Sequence, residues 1–365
     1  MKVDFINFKR EYQIVKKELK KSLEKVGRTG QYILGDELKK FEKKSAKFLG
    51  VKFAVGVGNW TEGMIMTLNA LNFKKSDEII TVSNSFIATA GAIAYYGAKP
   101  IFVDVANDLN IDVELIEQKI TKNTKAIMPV HMSGIPANLE KIKKICRKHN
   151  LFLIEDAAHA FGAKYRNKYI GSFGDVSLFS LHPRKNFHVF GDGGLIVTNN
   201  KFLYNKFLLI RNHGLVNRNE SLIWGTNSRL DNMQACFANS IFNKVNDWNA
   251  KHYEIAKFYN KNLTDKILKP RFDPKISKPT FHQYIIRTNK RNKLIKFLNS
   301  RGIQTAIHYP KPIHQNKAYT SSNKKIKLPK TEKFSKEILS LPIYHTLKLC
   351  EMQYIVDNVN QFFKN

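Results

Sequence analysis

The sequence predicts an α/β protein in which a large layered domain on a mostly parallel, mixed sheet is followed by a smaller C-terminal α+β domain. Three observations predict it. Apolar segments alternate between strand type and helix type over roughly the first 245 residues. From near Pro270 the pattern changes to short strands and short helices. At 365 residues the chain also exceeds the usual size of one domain. The expected division is residues 1–245, including an N-terminal helix, and residues 246–365.

Taken in order, the strand candidates are FAVGVG, EIITVS, KPIFVDV, KAIMPVHM, LFLIEDA, VSLFSL and GGLIVTN. Between them lie the helical candidates TEGMIMTLNAL, FIATAGAIAYYG and NLEKIKKICRKHN, so the alternation reads as βαβ crossovers. The stretch SRLDNMQACFANSIFNKVNDWNAKHYEIAKFYNKNL spaces its apolar residues by three and four and predicts one long helix leaving the first domain. Beyond Pro270, FHQYIIRT and IQTAIHYP read as strands, RNKLIKFLNSRG and MQYIVDNVNQFFKN as helices, and the lysine-rich SSNKKIKLPKTEKF as an exposed loop.

A 43% hydrophobic and 12% aromatic composition fits a packed globule rather than a disordered chain. No apolar run reaches the length of a membrane span, and the N-terminal residues are too charged for a secretory signal, so a soluble, cytoplasmic protein is expected. Cys146, Cys236 and Cys350 are scattered without metal-ligand spacing, which predicts reduced structural thiols, no disulfide framework and no metal. The formal charge of +31 points to an anionic partner, unless it reflects lysines spread over solvated faces. No zinc-finger or RNP-like signature accompanies it, so a phosphorylated small molecule is expected rather than nucleic acid.

The stretch SLFSLHPRKNFHVFGDGGLIVTNN, residues 177–200, carries Ser180, His182 and Lys185 between two strand-like runs, then Gly191, Gly193 and Gly194. A lysine so placed is ordinarily a solvated loop residue, but LFLIEDAAHAFGA puts Glu155, Asp156 and His159 directly after another apolar strand. In open α/β sheets, ligands sit at the carboxyl ends of strands. A carboxylate among apolar residues there needs a cation or a helix-capping role. Lysine forms Schiff bases with carbonyl compounds once its surroundings let it lose its proton. Together, Lys185 and an Asp156 able to keep a pyridine nitrogen protonated describe a pyridoxal phosphate site.

Such a site needs a phosphate cradle. GVGNWTEGMIMTLNAL supplies a strand, a glycine-containing turn and a helix from near Thr61, whose free N–H groups suit a phosphate dianion. The spacing of Gly56, Gly58 and Gly63 misses the dinucleotide fingerprint, so a nicotinamide cofactor is disfavoured. Ser180 can add a hydrogen bond to the phosphate, and Phe86 can stack on the ring.

These residues resemble the DegT-type nucleotide-sugar aminotransferases, which have the type I pyridoxal-phosphate-dependent transferase fold. The resemblance rests on GNWTEGMIMTLNAL, SNSFIATAGAI, PIFVDV, PVHMSGIPANLEKI, EDAAHAFGA, SLFSLHPRKNFHVFGDGGLIVT, RNHGL, GTNSRLDNMQA, IHYPKPIH and LSLPIYHTL, in family order over nearly the whole chain. It implies that Lys185 forms the Schiff base with the cofactor, Asp156 contacts the pyridine nitrogen and His159 lies near the ring, where many relatives have Gln. Phosphate contacts come from the turn Asn59-Trp60-Thr61, from Ser180, and from Asn227 of a second subunit, which makes the protein a homodimer with shared active sites. His308, Tyr309, Arg229 and His213 are implied near the substrate.

Two positions depart from the family pattern. Relatives usually read Ser- or Asn-Gly-Thr at the phosphate turn, so Trp60 must point away from the phosphate or change the contact. Where relatives often read HLYG, this chain has HMSG with Ser133. A branch of the family that dehydrates keto-sugars replaces the lysine by histidine; here Lys185 holds that position. The implied activity is therefore transfer of an amino group, with L-glutamate as donor, to a 3- or 4-keto group of a nucleotide diphosphate sugar. Pyridoxamine phosphate is the intermediate cofactor form, and a pyridoxal-phosphate-binding regulator without turnover is the competing reading.

Overall fold

The computed structural model describes residues 1–321 and 325–364. Its central sheet has the spatial order Phe53–Val57, Gly194–Thr198, Val176–Ser180, Phe152–Asp156, Thr124–Ile127, Glu78–Val82 and Lys99–Val103. Gly194–Thr198 pairs antiparallel with both of its neighbours. The remaining pairings are parallel. All of these strands fall on the apolar runs that predict them, and the helices Trp60–Ala70, Ala88–Tyr96 and Leu139–Lys148 pack on the sheet as crossovers.

This topology decides where chemistry collects. The carboxyl ends of Phe53–Val57, Glu78–Val82, Phe152–Asp156 and Val176–Ser180 emerge along one edge, together with the start of the antiparallel strand. That strand passes so close to the turn after Phe53–Val57 that only a glycine fits. A Cβ on Gly194 would lie 2.6 Å from the Asn59 carbonyl carbon, 2.8 Å from its oxygen and 2.9 Å from the Trp60 nitrogen. Asn59 caps the helix beyond, its side chain accepting from the Glu62 N–H at 2.9 Å. The Trp60 side chain is buried in the apolar cluster of Val55, Val57 and Met64.

The expected single helix over 228–263 is instead Asn232–Ile241, a tighter 3₁₀ turn Phe242–Lys244, and Val245–Asn262. Ile241, at φ −100° and ψ 0°, tightens the winding, while Phe242 and Val245 keep helical dihedrals, so the apolar spacing survives the interruption. In the C-terminal region Tyr284–Arg287 pairs antiparallel with Ile338–Leu341. IQTAIHYP, read as a strand, keeps only isolated bridges from Ile303 to Val3 and from Ala306 to Ser340. Pro310, which ends the segment, and Pro312 just beyond it have no N–H to give a ladder.

The segment read as an exposed loop over 321–334 is also corrected in part. Its residues 322–324 lie outside the described residues, and Pro329 opens the helix Pro329–Glu337. Helices Val245–Asn262, Arg291–Ser300 and Leu349–Lys364 enclose a C-terminal core built on Tyr259, Tyr284, Leu294, Leu341 and Ile355, which Val3 joins from the N-terminus. Among the described residues no helix is long and apolar enough to cross a membrane. The three cysteines are unpaired, with Cys146 and Cys236 buried.

Two glycines test the packing argument. Gly194→Ala pushes a methyl group into fixed backbone and is expected to cost about 1–3 kcal/mol. Gly91→Ala, in the helix Ala88–Tyr96 with nothing within 4 Å of the new methyl, is expected to stabilise by about 0.5–1 kcal/mol. Chemical denaturation of the two variants beside the parent checks both signs.

Candidate active site

Asp156 ends its strand with its side chain buried at 3% exposure. Thr89 donates its hydroxyl to Oδ2 at 3.0 Å, and the Ala158 N–H donates to Oδ1 at 3.2 Å. These contacts fix the carboxylate without neutralising it, and burial raises its pKa to about 6 against the opposing pull of those donors and of Lys185. Glu155, one residue earlier on the pleat, serves the scaffold. Its oxygens accept from the N–H groups of Gly171, Phe173 and Gly174, from Ser177 and from His131. Burial opposes its charge, but these donors outweigh it and hold its pKa below the usual value.

Lys185 follows the strand Val176–Ser180 in a turn closed by its own N–H, which donates to the His182 carbonyl at 2.8 Å. The side chain is half-buried, and burial lowers its pKa to about 8; Asp156 opposes that shift and Arg184 reinforces it. An amine in this state supplies a neutral nucleophile near physiological pH, which an exposed lysine does not.

Both groups line one cavity of about 450 Å³. Asn59, Trp60 and Thr61 form its wall at the capped helix start, Phe86 stands at the wall with 56% exposure, and Ser180, His159, His308 and Tyr309 complete it. The sequence thus places ten of its candidates around one space. His213, Asn227 and Arg229 lie elsewhere. His213 and Asn227, both exposed, belong to a segment closed by a bridge between Asn212 and Asn227, and Arg229, just beyond it, donates to Asn212 at 2.9 Å.

Sequence reasoning missed Thr89, Arg184, His282 and Gln283, which line the same cavity. Thr89 sits in SNSFIATAGAI and Arg184 directly beside Lys185, so proximity to quoted motifs was their signal. His282 had none, since it is brought in by the C-terminal region. Its tautomer can be read from its neighbours. The Asn186 amide donates to Asn249 Oδ1 at 3.1 Å and to the Thr280 carbonyl at 2.9 Å, which leaves Asn186 Oδ1 to accept from His282 Nδ1 at 3.1 Å. His282 therefore presents Nε2 as an acceptor. Burial, with His159 and Lys185 nearby, holds its pKa well below the ordinary value, and burial lowers that of His308 to about 4.

The residues fit a pyridoxal phosphate. Among the described residues the buried Asp156 carboxylate makes no direct ion pair, which a protonated pyridine nitrogen would supply. The buried His159 Nδ1 and Trp60 Nε1 have no hydrogen-bond partner among the described residues. The free N–H groups at the start of Trp60–Ala70 and the hydroxyls of Thr61 and Ser180 suit a phosphate. Trp60 keeps most of its indole in the core, so its bulk is accommodated there. His182 lines this cavity, whereas His188 lines a smaller one of about 60 Å³ with Glu11, His252 and His345.

The lysine is open to direct titration. In the cofactor-free protein, reductive methylation by formaldehyde, mapped by mass spectrometry, is expected to modify Lys185 with a rate midpoint near pH 8, because only the neutral amine reacts. Exposed lysines should keep gaining reactivity towards about pH 10.4.

A profile of the DegT/DnrJ/EryC1/StrS aminotransferase family matches residues 13–360. A protein of Geobacillus stearothermophilus named pleiotropic regulatory protein is 38% identical over 370 residues, covering 100% of each chain. The dTDP-3-amino-3,6-dideoxy-alpha-D-galactopyranose transaminase of Aneurinibacillus thermoaerophilus is 36% identical, with 99% of each chain covered. The structure of NtdA from Bacillus subtilis with bound cofactor PMP superposes with a TM-score of 0.94 at 29% identity, covering 100% of this chain and 86% of that one. With a matching profile over almost its full length, the chain belongs to the DegT/DnrJ/EryC1/StrS aminotransferase family.

Proposed function

We propose that the chain is a pyridoxal-phosphate-dependent aminotransferase that moves an amino group from L-glutamate to a ketone of a nucleotide diphosphate sugar, alternating between donor and acceptor in one cavity. The observation that carries the reading is a lysine of lowered pKa and a carboxylate of raised pKa lining that same cavity. The sugar substrate is supported by the transaminase of Aneurinibacillus thermoaerophilus, whose name specifies a dTDP-linked amino sugar. A cavity of about 450 Å³ lies in the range that holds small organic ligands.

In this reading Lys185 would attach the cofactor, Asp156 would hold its ring nitrogen, and Phe86 and His159 would contact its ring. Asn59, Trp60, Thr61 and Ser180 bind its phosphate. The bound cofactor supplies an electron-withdrawing ring that stabilises the carbon losing its proton. Thr89 and the Ala158 N–H orient the Asp156 carboxylate, and a cation beside it reverses the burial effect and keeps it ionised. Lys185, with its pKa lowered by burial, would serve as the acid-base that moves the proton of the reacting carbon. His282 and His308, held neutral by burial, offer the sugar hydroxyls uncharged hydrogen-bond partners. We take residues 1–245 as the unit that holds the cofactor and residues 246–365 as a smaller C-terminal unit that adds His282, His308 and Tyr309 to the cavity wall.

The reading includes a homodimer. Trp224 at 96%, Leu222 at 60% and Phe86 at 56% exposure are large apolar surfaces left open on a single chain. Asn227 sits on the same projecting segment as Trp224, so a second copy can bring it to the phosphate. His213 and Arg229, on or beside that segment, reach substrate by the same route. The name of the Geobacillus relative favours a regulatory role. Lys185 and Asp156 in one cavity favour turnover. A lysine at position 185, where the dehydrating branch has histidine, favours amino transfer over dehydration.

The test is Lys185→Ala, assayed for aminated product by mass spectrometry against a panel of nucleotide 3- and 4-keto-sugars with glutamate. The expected rate loss is at least about 10²–10⁴-fold, the range for removal of a positioned acid-base group. A variant that turns over at the parental rate removes the role given to the lysine.

A further inference from the structure

Arg184 is an arginine of the cavity wall whose guanidinium has no hydrogen bond or ion pair among the described residues. Arg10 pairs with Glu351, Arg211 with Glu42 and Arg287 with Glu337, and among the described residues Arg184 is the only arginine that lines this cavity. The turn closed between the Lys185 N–H and the His182 carbonyl sets Arg184 and Lys185 on the same wall. The charge of Arg184 acts on Lys185, His308 and Tyr309, so it stands within electrostatic reach of all three. An unpaired guanidinium in a site built around a reactive lysine suits an anion, and its planar fork suits a carboxylate.

Resting on the proposed amino transfer, we infer that Arg184 recognises the α-carboxylate of the amino donor. Two anions enter this cavity in the proposed reaction, the donor's carboxylate and the sugar's diphosphate. The α-carboxylate carbon is bonded to the carbon that bears the amine, so it lies about 2.5 Å from the reacting nitrogen. The diphosphate hangs from the anomeric carbon, about four or five bonds from a 3- or 4-ketone. A cation next to Lys185 therefore meets the carboxylate of a molecule reacting there and falls short of the diphosphate. Of the charged and histidine groups near it on the wall, Asp156 and Asp192 repel a carboxylate, and His282 carries an Nε2 that accepts rather than donates.

The experiment is calorimetric binding to the cofactor-loaded protein of two probes, α-methyl-L-glutamate, which has no proton to lose, and its α-amide. Parent, Arg184→Met and Arg184→Lys are compared. Arg184→Met is expected to weaken the acid at least about tenfold and to leave the amide unchanged, with Arg184→Lys recovering part of the loss. Nucleotide keto-sugar binding stays within about twofold in the same variants, below the threshold of one lost charged contact. Equal weakening of acid and amide, no weakening of either, or a loss confined to the nucleotide sugar overturns the assignment. Turnover of the parent with glutamate is measured alongside. The expected binding pattern without turnover sinks the enzymatic reading and leaves the carboxylate site standing.

Discussion

The architecture depends on keeping two ionisable groups of opposite type in one desolvated space. Burial moves Asp156 and Lys185 towards neutrality from opposite sides, to about 6 and about 8, while each supports the charge of the other. Neither value survives if the groups are exposed, and neither is reached if they are close enough to form a tight ion pair. The sheet solves this by delivering them on adjacent parallel strands, Phe152–Asp156 and Val176–Ser180, with the lysine set back in the following turn. Thr89 and the Ala158 N–H then hold the carboxylate in place without neutralising it.

Much of this was legible in the chain because it is local. The strands of the central sheet are short apolar runs with turn residues at their ends, and a parallel sheet puts every carboxyl end on one edge. Asp156, Ser180 and Lys185 could therefore be placed together from their positions after strands. Asn59, which the sequence offers only as part of the phosphate turn, also caps the helix that follows. IQTAIHYP keeps only isolated bridges because its apolar alternation takes no account of Pro310 at its end and Pro312 beyond it. The helix over 228–263 was read as unbroken because a 3₁₀ turn leaves the apolar spacing almost intact.

What stayed hidden is tertiary. His282 reaches the cavity from a segment nearly a hundred residues after Lys185, and its tautomer is set by Asn186, Asn249 and Thr280 acting together. Thr89 becomes meaningful only when the helix Ala88–Tyr96 packs its first turn against the end of the Asp156 strand. His213, Asn227 and Arg229 came from family resemblance, and a single chain leaves them away from the cavity, on or beside a segment that exposes Trp224. Their proposed roles require a second copy.

The division of labour that emerges separates charge from shape. The large sheet supplies the charged pair and the proposed phosphate cradle, while the C-terminal region supplies neutral partners, His282, Gln283, His308 and Tyr309. The most direct measurement is borohydride reduction of the cofactor-loaded protein, followed by peptide mapping. The account predicts one reduced phosphopyridoxyl adduct, on Lys185. An adduct on another lysine, or none, contradicts it.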